Sequence, residues 1–339
     1  VVTIADVATY AGVGAGTVSR VLNDSPNVSP DTRAHVLAAI QALDYRPSPL
    51  ARGLSRGRSQ TVALILPFFT HASAVERLRG VVAEFDGNPY DLVLFNVGSQ
   101  THLDEHFAAL TARDRAAGLL LMSLPPPRRE LTRLRKAQVP VVLVDARAPG
   151  VPNVVIDDVE GGRIATRHLV ALGHERIAYI GDDPANPYQS SASPEREKGY
   201  REVLAAAGIR ARASYVVNGP HDRHVARRLT ERLLAQRQPP TAVFASSDVQ
   251  ALGVVEAARA AGMAVPADLS VVGFDDIEIS AYAGITTVRQ PLSDSGRLGA
   301  RMVLDALACG ALPEPRVQTL PLELVERSST AYPRRRGRG

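Results

Sequence analysis

The sequence predicts an α/β protein in two parts: an N-terminal three-helix helix-turn-helix head and a two-subdomain, doubly wound parallel-sheet core. Three observations carry this reading. The first 60 residues contain three short helical patterns and no strand pattern. From Thr61 onward, short apolar runs alternate with helical stretches almost to the C-terminus. The runs number eight and are rich in Val, Leu and Ile with apolar neighbours, as in parallel strands covered on both faces. So many strands divide most naturally between two sheets.

In the head, a first helix spans Ile4–Tyr10, with Val7 and Ala8 facing inward. The turn Ala11–Val13 follows, where Gly12 is free to take a positive φ. A second helix covers Gly14–Asn23. Val18, Val21 and Leu22 give it one apolar stripe, and two glycines weaken its first turn at about 1 kcal/mol each. The third begins sharply, with Ser29 as N-cap, Pro30 in the first helical position and Asp31 in the first turn, and runs to Leu43. Such small helices packed across a glycine turn follow helix-turn-helix logic. The exposed face of the second carries Ala15, Gly16, Ser19 and Arg20. Small residues there permit close backbone approach to a duplex, and Arg20 suits bidentate pairing with guanine O6 and N7. Thr17, Ser19 and Asn23 suit phosphate oxygens. A plain helical hairpin would share much of this pattern.

Residues 45–59 form a linker broken by Pro47 and Pro49 and loosened by Gly53 and Gly57, with room for a short helix over Pro49–Ser55. In the core, strands are expected at 61–66, 91–95, 118–122, 141–144, 176–180, 214–217, 241–245 and 270–274. Helices are expected at Ala72–Phe85, Leu103–Arg113, Gly161–Leu172, Glu195–Ala207, Val225–Gln236, Val249–Ala261 and Ser293–Ala308. The resulting division is head 1–46, hinge and linker 47–60, core 61–330 and a basic, disordered tail 331–339.

Composition narrows the function classes. One cysteine, Cys309, excludes an internal disulfide framework and fits a reducing cytoplasm; it reads as a small core residue near a helix end. No apolar run approaches the roughly 18 residues of a membrane span, and the N-terminus lacks the basic-then-apolar pattern of a signal peptide. The formal net charge of +4 equals the tail's Arg334, Arg335, Arg336 and Arg338, and the first 60 residues hold six Arg against four Asp. A polybasic nucleic-acid signature is therefore absent. No cofactor or metal is expected: there is no phosphate-binding glycine loop of either common type, and His221 and His224 alone are a poor metal pattern.

Open α/β sheets bind ligands beyond the carboxyl ends of their strands. That rule selects Pro67–Phe69, Met122 and Ser123, Asp145, Asp182 and Asp183, Ser247 and Asp248, and Asp275. Carboxylates, hydroxyls and an aromatic plate suit a polyhydroxylated ligand such as a sugar. Blander readings stand beside these: Asp248 as N-cap of the helix from Val249, Asp275 as cap of the segment from Ile277, and Arg196 pairing with a nearby Glu.

The stretch "TIADVATYAGVGAGTVSRVLNDSPNVSPDTRAHVLAAIQALDYRPSPLARGL" closely resembles the N-terminus of the lac-repressor/galactose-repressor family of bacterial transcription regulators. "LVALGHERIAYIG", "AVFASSDVQALGVVEAARAAGMAVPADLSVVGFDD" and "ITTVRQP" resemble its effector-binding, periplasmic-binding-protein-like core. The resemblance implies a repressor, not an enzyme, acting in the bacterial cytoplasm at the nucleoid. It would be a homodimer on pseudo-palindromic double-stranded operator DNA, controlled by a small molecule, most simply a carbohydrate. It implies a hinge helix whose Leu54 wedges into the minor groove. It places Asp145, Arg196, Ser247, Asp275 and Gln290 on effector-contact positions, with Phe69 and His221 near the apolar cleft wall and Met122 at a strand end beside them. Thr3, Asn27, Ser29 and Tyr45 complete the DNA-facing set. Two departures matter: Ala15 and Gly16 replace larger specificity residues, leaving direct readout to Arg20 and more to DNA shape, and Ser247 replaces a frequent Asn. The alternative reading is a sugar-binding or sugar-phosphorylating protein with an appended DNA-binding head. Arg20→Ala should cost about 1–3 kcal/mol on a specific operator and far less on random duplex, where phosphates dominate; equal losses in a binding titration would remove Arg20 from base reading.

Overall fold

The computed structural model describes residues 2–22, 24–45, 59–98, 100–111, 116–183 and 192–334. The chain forms two units, Val1–Gln60 and Thr61–Gly339. The expected hinge helix with Leu54, and Asn23, lie outside the described residues.

The head contains α1 (Ile4–Tyr10), α2 (Ala15–Leu22) and α3 (Pro30–Ala42). Thr3 closes a capping box on α1: its hydroxyl accepts from the Asp6 amide while the Asp6 carboxylate accepts from the Thr3 amide at 2.8 Å. Gly12 turns the chain at φ 62°. Helix α2 starts one residue later than expected, at Ala15. Gly14 precedes it and offers its carbonyl to the Thr17 and Val18 amides, so only Gly16 weakens the helix interior. Val7, Ala8, Val18, Val21, Val36 and Ala39 form the small core, and Tyr45 joins it.

The second unit has two six-stranded sheets. Sheet 1 is ordered β11-β5-β4-β3-β1-β2, with β1 (Thr61–Pro67), β2 (Asp91–Val97), β3 (Gly118–Met122), β4 (Val141–Val144), β5 (Asn153–Val155) and β11 (Val317–Thr319). Sheet 2 is ordered β12-β10-β9-β8-β6-β7, with β6 (Ile177–Asp182), β7 (Val216–Gly219), β8 (Ala242–Ala245), β9 (Ser270–Asp275), β10 (Thr286–Arg289) and β12 (Glu323–Val325). All pairs are parallel except β10 with β12. The eight expected strands are present, with β7 displaced because Ala213–Tyr215 makes a 3-10 turn. The four further strands are three or four residues long, too short for a periodic signal.

The flanking helices are α4 (Ala72–Phe85), α5 (Gln100–Thr111), α6 (Arg128–Lys136), α7 (Asp158–Ala171), α8 (Ala192–Ala206), α9 (Arg223–Leu234), α10 (Asp248–Ala260), α11 (Glu278–Tyr282) and α12 (Leu292–Cys309). The chain passes between sheets after β5, after β10 and between β11 and β12, so α12 covers sheet 1 although sheet 2 precedes it. Among the described residues no helix is long and apolar enough to cross a membrane.

Glycines set the closest helix crossings. A Cβ on Gly80 of α4 would fall on the Ser293 carbonyl, and one on Gly296 of α12 would fall on the Arg77 carbonyl. The pairing recurs in the second subdomain, where Gly162 of α7 meets the Arg196 carbonyl and Gly199 of α8 meets that of Val159. Two expectations are corrected. Residues 331–334 are not a disordered tail: the Ala331 amide donates to Ser270 Oγ at 3.0 Å, the buried His174 holds the Ala331 carbonyl at 2.9 Å, and Arg334 pairs with Asp268 at 2.8 Å. Cys309 is exposed rather than core, because it ends α12 on the solvent side. Gly162→Ala should lower the thermal midpoint of this unit, since overpacking against backbone costs about 1–3 kcal/mol or more; an unchanged melting curve would show that the crossing relaxes freely.

Candidate functional site

The carboxyl ends of β1, β3, β4, β6, β8, β9 and β10 converge between the two sheets. Backbone strain concentrates there. Of the eight described non-glycine residues with positive φ, five are strand-end residues: Phe68 (51°), Ser123 (56°), Asp145 (58°), Asp275 (114°) and Asp276 (59°). Each costs on the order of 1–3 kcal/mol and persists only where surrounding structure imposes it.

A chain of polar contacts links the two subdomains. Ser123 Oγ donates to Asp145 Oδ2 at 2.6 Å. The Arg77 guanidinium, on α4, reaches Asp145 Oδ1 at 3.1 Å and donates to Gln290 Oε1 at 2.9 Å. Gln290 Nε2 donates to Asp275 Oδ1 at 2.5 Å. On the other side, Arg196 of α8 donates through Nε to Asp158 Oδ1 at 2.8 Å and through a terminal nitrogen to the Ser246 carbonyl at 2.5 Å. Its guanidinium lies 3.6 Å from the centre of the Phe274 ring. Burial raises the Asp158 and Asp275 carboxyls above the usual carboxylate range, opposed in both by the charge of Arg196. Beside them, a cavity of about 120 Å³ is lined by Ser123, Asp145, Arg147, Asp158 and Glu195 among others.

A ring stack spans the cleft. Phe68 lies over His71 at 4.8 Å between centroids, and His71 over His221 at 4.9 Å. His221 Nδ1 is 3.0 Å from Asp182 Oδ1, which also accepts from Gln250 Nε2 at 3.0 Å. Burial lowers the His71 imidazole, and His221 lowers it further. Burial works against the charge on His221 as well, yet the bonded Asp182, with Asp275 beyond, carries that imidazole above its ordinary value.

Several expected site residues therefore meet, joined by contacts or charge: Asp145, Asp275 and Gln290 at the ends of β4, β9 and β10, Arg196 on α8, and His221 just ahead of α9. Others do not. Met122 is wholly buried with Leu64, Leu120 and Val144, because strand alternation turns it into the sheet 1 core and leaves Ser123 to the cleft. Phe69 is 42% exposed, and its neighbour Phe68 supplies the ring in the stack. Ser247 is buried and caps α10 by accepting from the Gln250 amide at 3.2 Å. That displaces Asp248 from its expected capping role: it is the first helical residue, and its carboxylate accepts from Thr287 Oγ1 at 2.6 Å and the Ile277 amide at 3.0 Å. Asp248, not Asp275, thus caps Ile277. Burial, reinforced by Asp275, pushes the Asp248 carboxyl up to about 7. The alternative pairing of Arg196 with a Glu is replaced by Asp158.

Three contributors were missed, Arg77, Asp158 and His71, whereas Phe68 lay within the strand-end range Pro67–Phe69. Arg77 had a signal. It interrupts the buried stripe Ala74, Arg77, Gly80 and Val81 of α4, as Arg196 interrupts Ser193, Arg196, Gly199, Tyr200 and Leu204 of α8. A charge within a buried helical stripe asks for a partner.

In the head, Ala15, Gly16 and Arg20 are exposed on α2, with Thr17 and Ser19 partly so, while Val18 and Val21 are buried. A Cβ on Gly16 would lie 3.9 Å from an Arg20 terminal nitrogen, so that guanidinium extends over the glycine. Thr3, Asn27 and Ser29 are exposed, though Thr3 and Ser29 already cap helices. Tyr45 is only 8% exposed and packs in the head core, which corrects its place in the DNA-facing set.

Replacing His71 with Phe keeps a ring in the stack and removes its titration. His71 sits below its ordinary value when folded, so its contribution is complete above about pH 6.5 and is lost as pH falls through that region. The wild-type thermal midpoint should fall more steeply than that of His71→Phe from about pH 7 to about pH 5.5; parallel curves would exclude His71 as the titrating group.

Comparison with known proteins bears on both units. Residues 3–48 match the model of bacterial regulatory proteins of the lacI family, and residues 166–330 match a periplasmic binding protein-like domain. Catabolite control protein A of Priestia megaterium is 33% identical over 97% of this chain and 99% of its own length. The ribose operon repressor of Escherichia coli K12 is 34% identical over 96% and 99%. Among solved structures, the lac repressor dimer bound to operator and the anti-inducer ONPF superposes with a TM-score of 0.81 at 27% identity, covering 97% of this chain and 99% of that one. The complex of the transcriptional regulator CelR with cellobiose gives 0.70 at 34%, covering 97% and 100%. This chain belongs to the lacI family of bacterial regulatory proteins.

Proposed function

We propose that this regulator is a repressor whose affinity for operator DNA is set by a neutral sugar bound between the two sheets. The observation that carries the reading is the convergence of the strand-end residues Asp145, Asp275 and Gln290 with Arg77 of α4 and Arg196 of α8, in a chain that also presents a helix-turn-helix head. Carboxylates with unfilled lone pairs and amide or guanidinium donors are the complement of sugar hydroxyls, each of which both donates and accepts. Regulators matched along nearly the whole of this chain favour this reading over a sugar-phosphorylating one. The proposed contacts are Asp145, Arg196, Asp275 and Gln290, with His221 as a wall.

On DNA, Arg20 reads a base edge while Thr17 and Ser19 meet phosphates, and the exposed capping hydroxyls of Thr3 and Ser29 remain within the same role. The active form is a homodimer, whose two heads read half-sites about one helical turn apart. Exposed Val82 on α4 and exposed Val93 and Leu94 on the edge strand β2 give sheet 1 an apolar margin for a second copy. The protein works in the bacterial cytoplasm, at the nucleoid.

Control by a small molecule requires a coupling free energy between two sites, and that coupling is reciprocal. A thermal-shift panel of mono- and disaccharides identifies the sugar. Calorimetric titration of that sugar with and without operator should then show two affinities whose ratio equals the ratio of operator affinities with and without sugar. Identical sugar affinities in the two titrations would mean uncoupled sites and would defeat the regulatory reading.

A further inference from the structure

We propose that Arg77 reads the effector directly, selecting one hydroxyl of a neutral sugar. Arg77 is only 4% exposed, yet it lies between the two subdomains' polar groups. A single terminal nitrogen serves both Asp145 and Gln290, and Gln290 passes the contact on to Asp275. Its Nε–H has no acceptor. Of the three buried side-chain atoms without a hydrogen-bond partner among the described residues, Arg77 Nε is the one on a residue bonded to both sides of the cleft. A buried donor left unmade is costly and calls for a compensating partner. The backbone does not let it withdraw, because the Arg77 carbonyl is held under Gly296.

The surroundings define what that partner is. Arg196 gives Nε to Asp158, a terminal nitrogen to the Ser246 carbonyl and its face to Phe274, whereas Arg77 keeps a buried Nε–H with no acceptor. Asp145 and Asp275, on either side of it, are acceptors. A ligand that satisfies all three presents an oxygen acceptor to Arg77 and donors to both carboxylates. Neighbouring hydroxyls on one ring do this. A phosphate or carboxylate would bring an anion against Asp145 and Asp275, and an amine alone would leave Nε unfilled. The inference rests on the sugar-effector reading and sharpens it: Arg77 sets which hydroxyl is read, and its neighbours exclude phosphorylated sugars.

The test is calorimetry on the full chain with D-glucose, D-ribose and cellobiose, their monodeoxy analogues, and glucose 6-phosphate. Wild type should favour the bound sugar over one particular monodeoxy analogue by about 10- to 100-fold, the range for a hydrogen bond to a charged group, and should not bind the phosphate ester. In Arg77→Met that preference should shrink to about twofold while preferences at the other hydroxyls persist. Arg77→Lys keeps a cation against Asp145 but lacks the Nε–H; it should lose the same preference, and it decides the matter should the Met variant not fold. Uniformly weaker binding with every hydroxyl preference intact would make Arg77 a tether and overturn the proposal. No binding of any of the neutral sugars by the wild type would refute the sugar reading itself, a failure visible before any substitution is made.

Discussion

Two buried arginines, each pinned through its own carbonyl by a glycine of a neighbouring helix, organise the cleft. Gly296 holds Arg77 on α4 and Gly162 holds Arg196 on α8. Both guanidiniums reach carboxylates, Asp145 beyond the end of β4 and Asp158 at the start of α7. A buried charge without a partner is worth several kcal/mol of destabilisation, so these placements are enforced from both ends. The helix crossing fixes where the backbone lies, and the carboxylate fixes where the charge goes. The arrangement is repeated in the two subdomains and joined at Gln290, where the chain crosses from sheet 2 back to sheet 1.

The rest of the cleft follows from that frame. Positive φ at Phe68, Ser123, Asp145, Asp275 and Asp276 turns the chain sharply at the strand ends, and there Ser123 meets Asp145. Burial and its neighbour Asp275 raise the Asp248 carboxyl, and its oxygens organise Thr287 and the start of α11. His71 and His221 close the mouth with faces rather than hydrogen bonds, a contact that can part without stranding a buried polar group.

Much of this was legible in the sequence. Gly12, Ser29 and Pro30 mark the head because turns and caps have local chemistry, and the core strands read as apolar runs because both faces are covered. The strand-end rule led to Asp145, Asp182 and Asp275 with no knowledge of relatives. What was not legible was parity and partnership. One residue separates Met122 in the core from Ser123 in the cleft, Phe69 from Phe68, and the capping Ser247 from the buried Asp248, and strand registers resolve such steps where composition does not. Arg77 and Asp158 are separated from their partners by long stretches of chain, so only the fold reveals them. The ordered segment to residue 334 depends on His174 and Ser270, and nothing in its own basic composition announces that.

If the two arginine-centred halves form one recognition site, a bound sugar must steady both at once. Amide hydrogen exchange followed by mass spectrometry measures this directly. Saturating effector should slow exchange in the first turns of α4 around Arg77 and in α8 around Arg196 together. Protection confined to one of these helices, with the other exchanging as in the free protein, would contradict a site shared across the cleft.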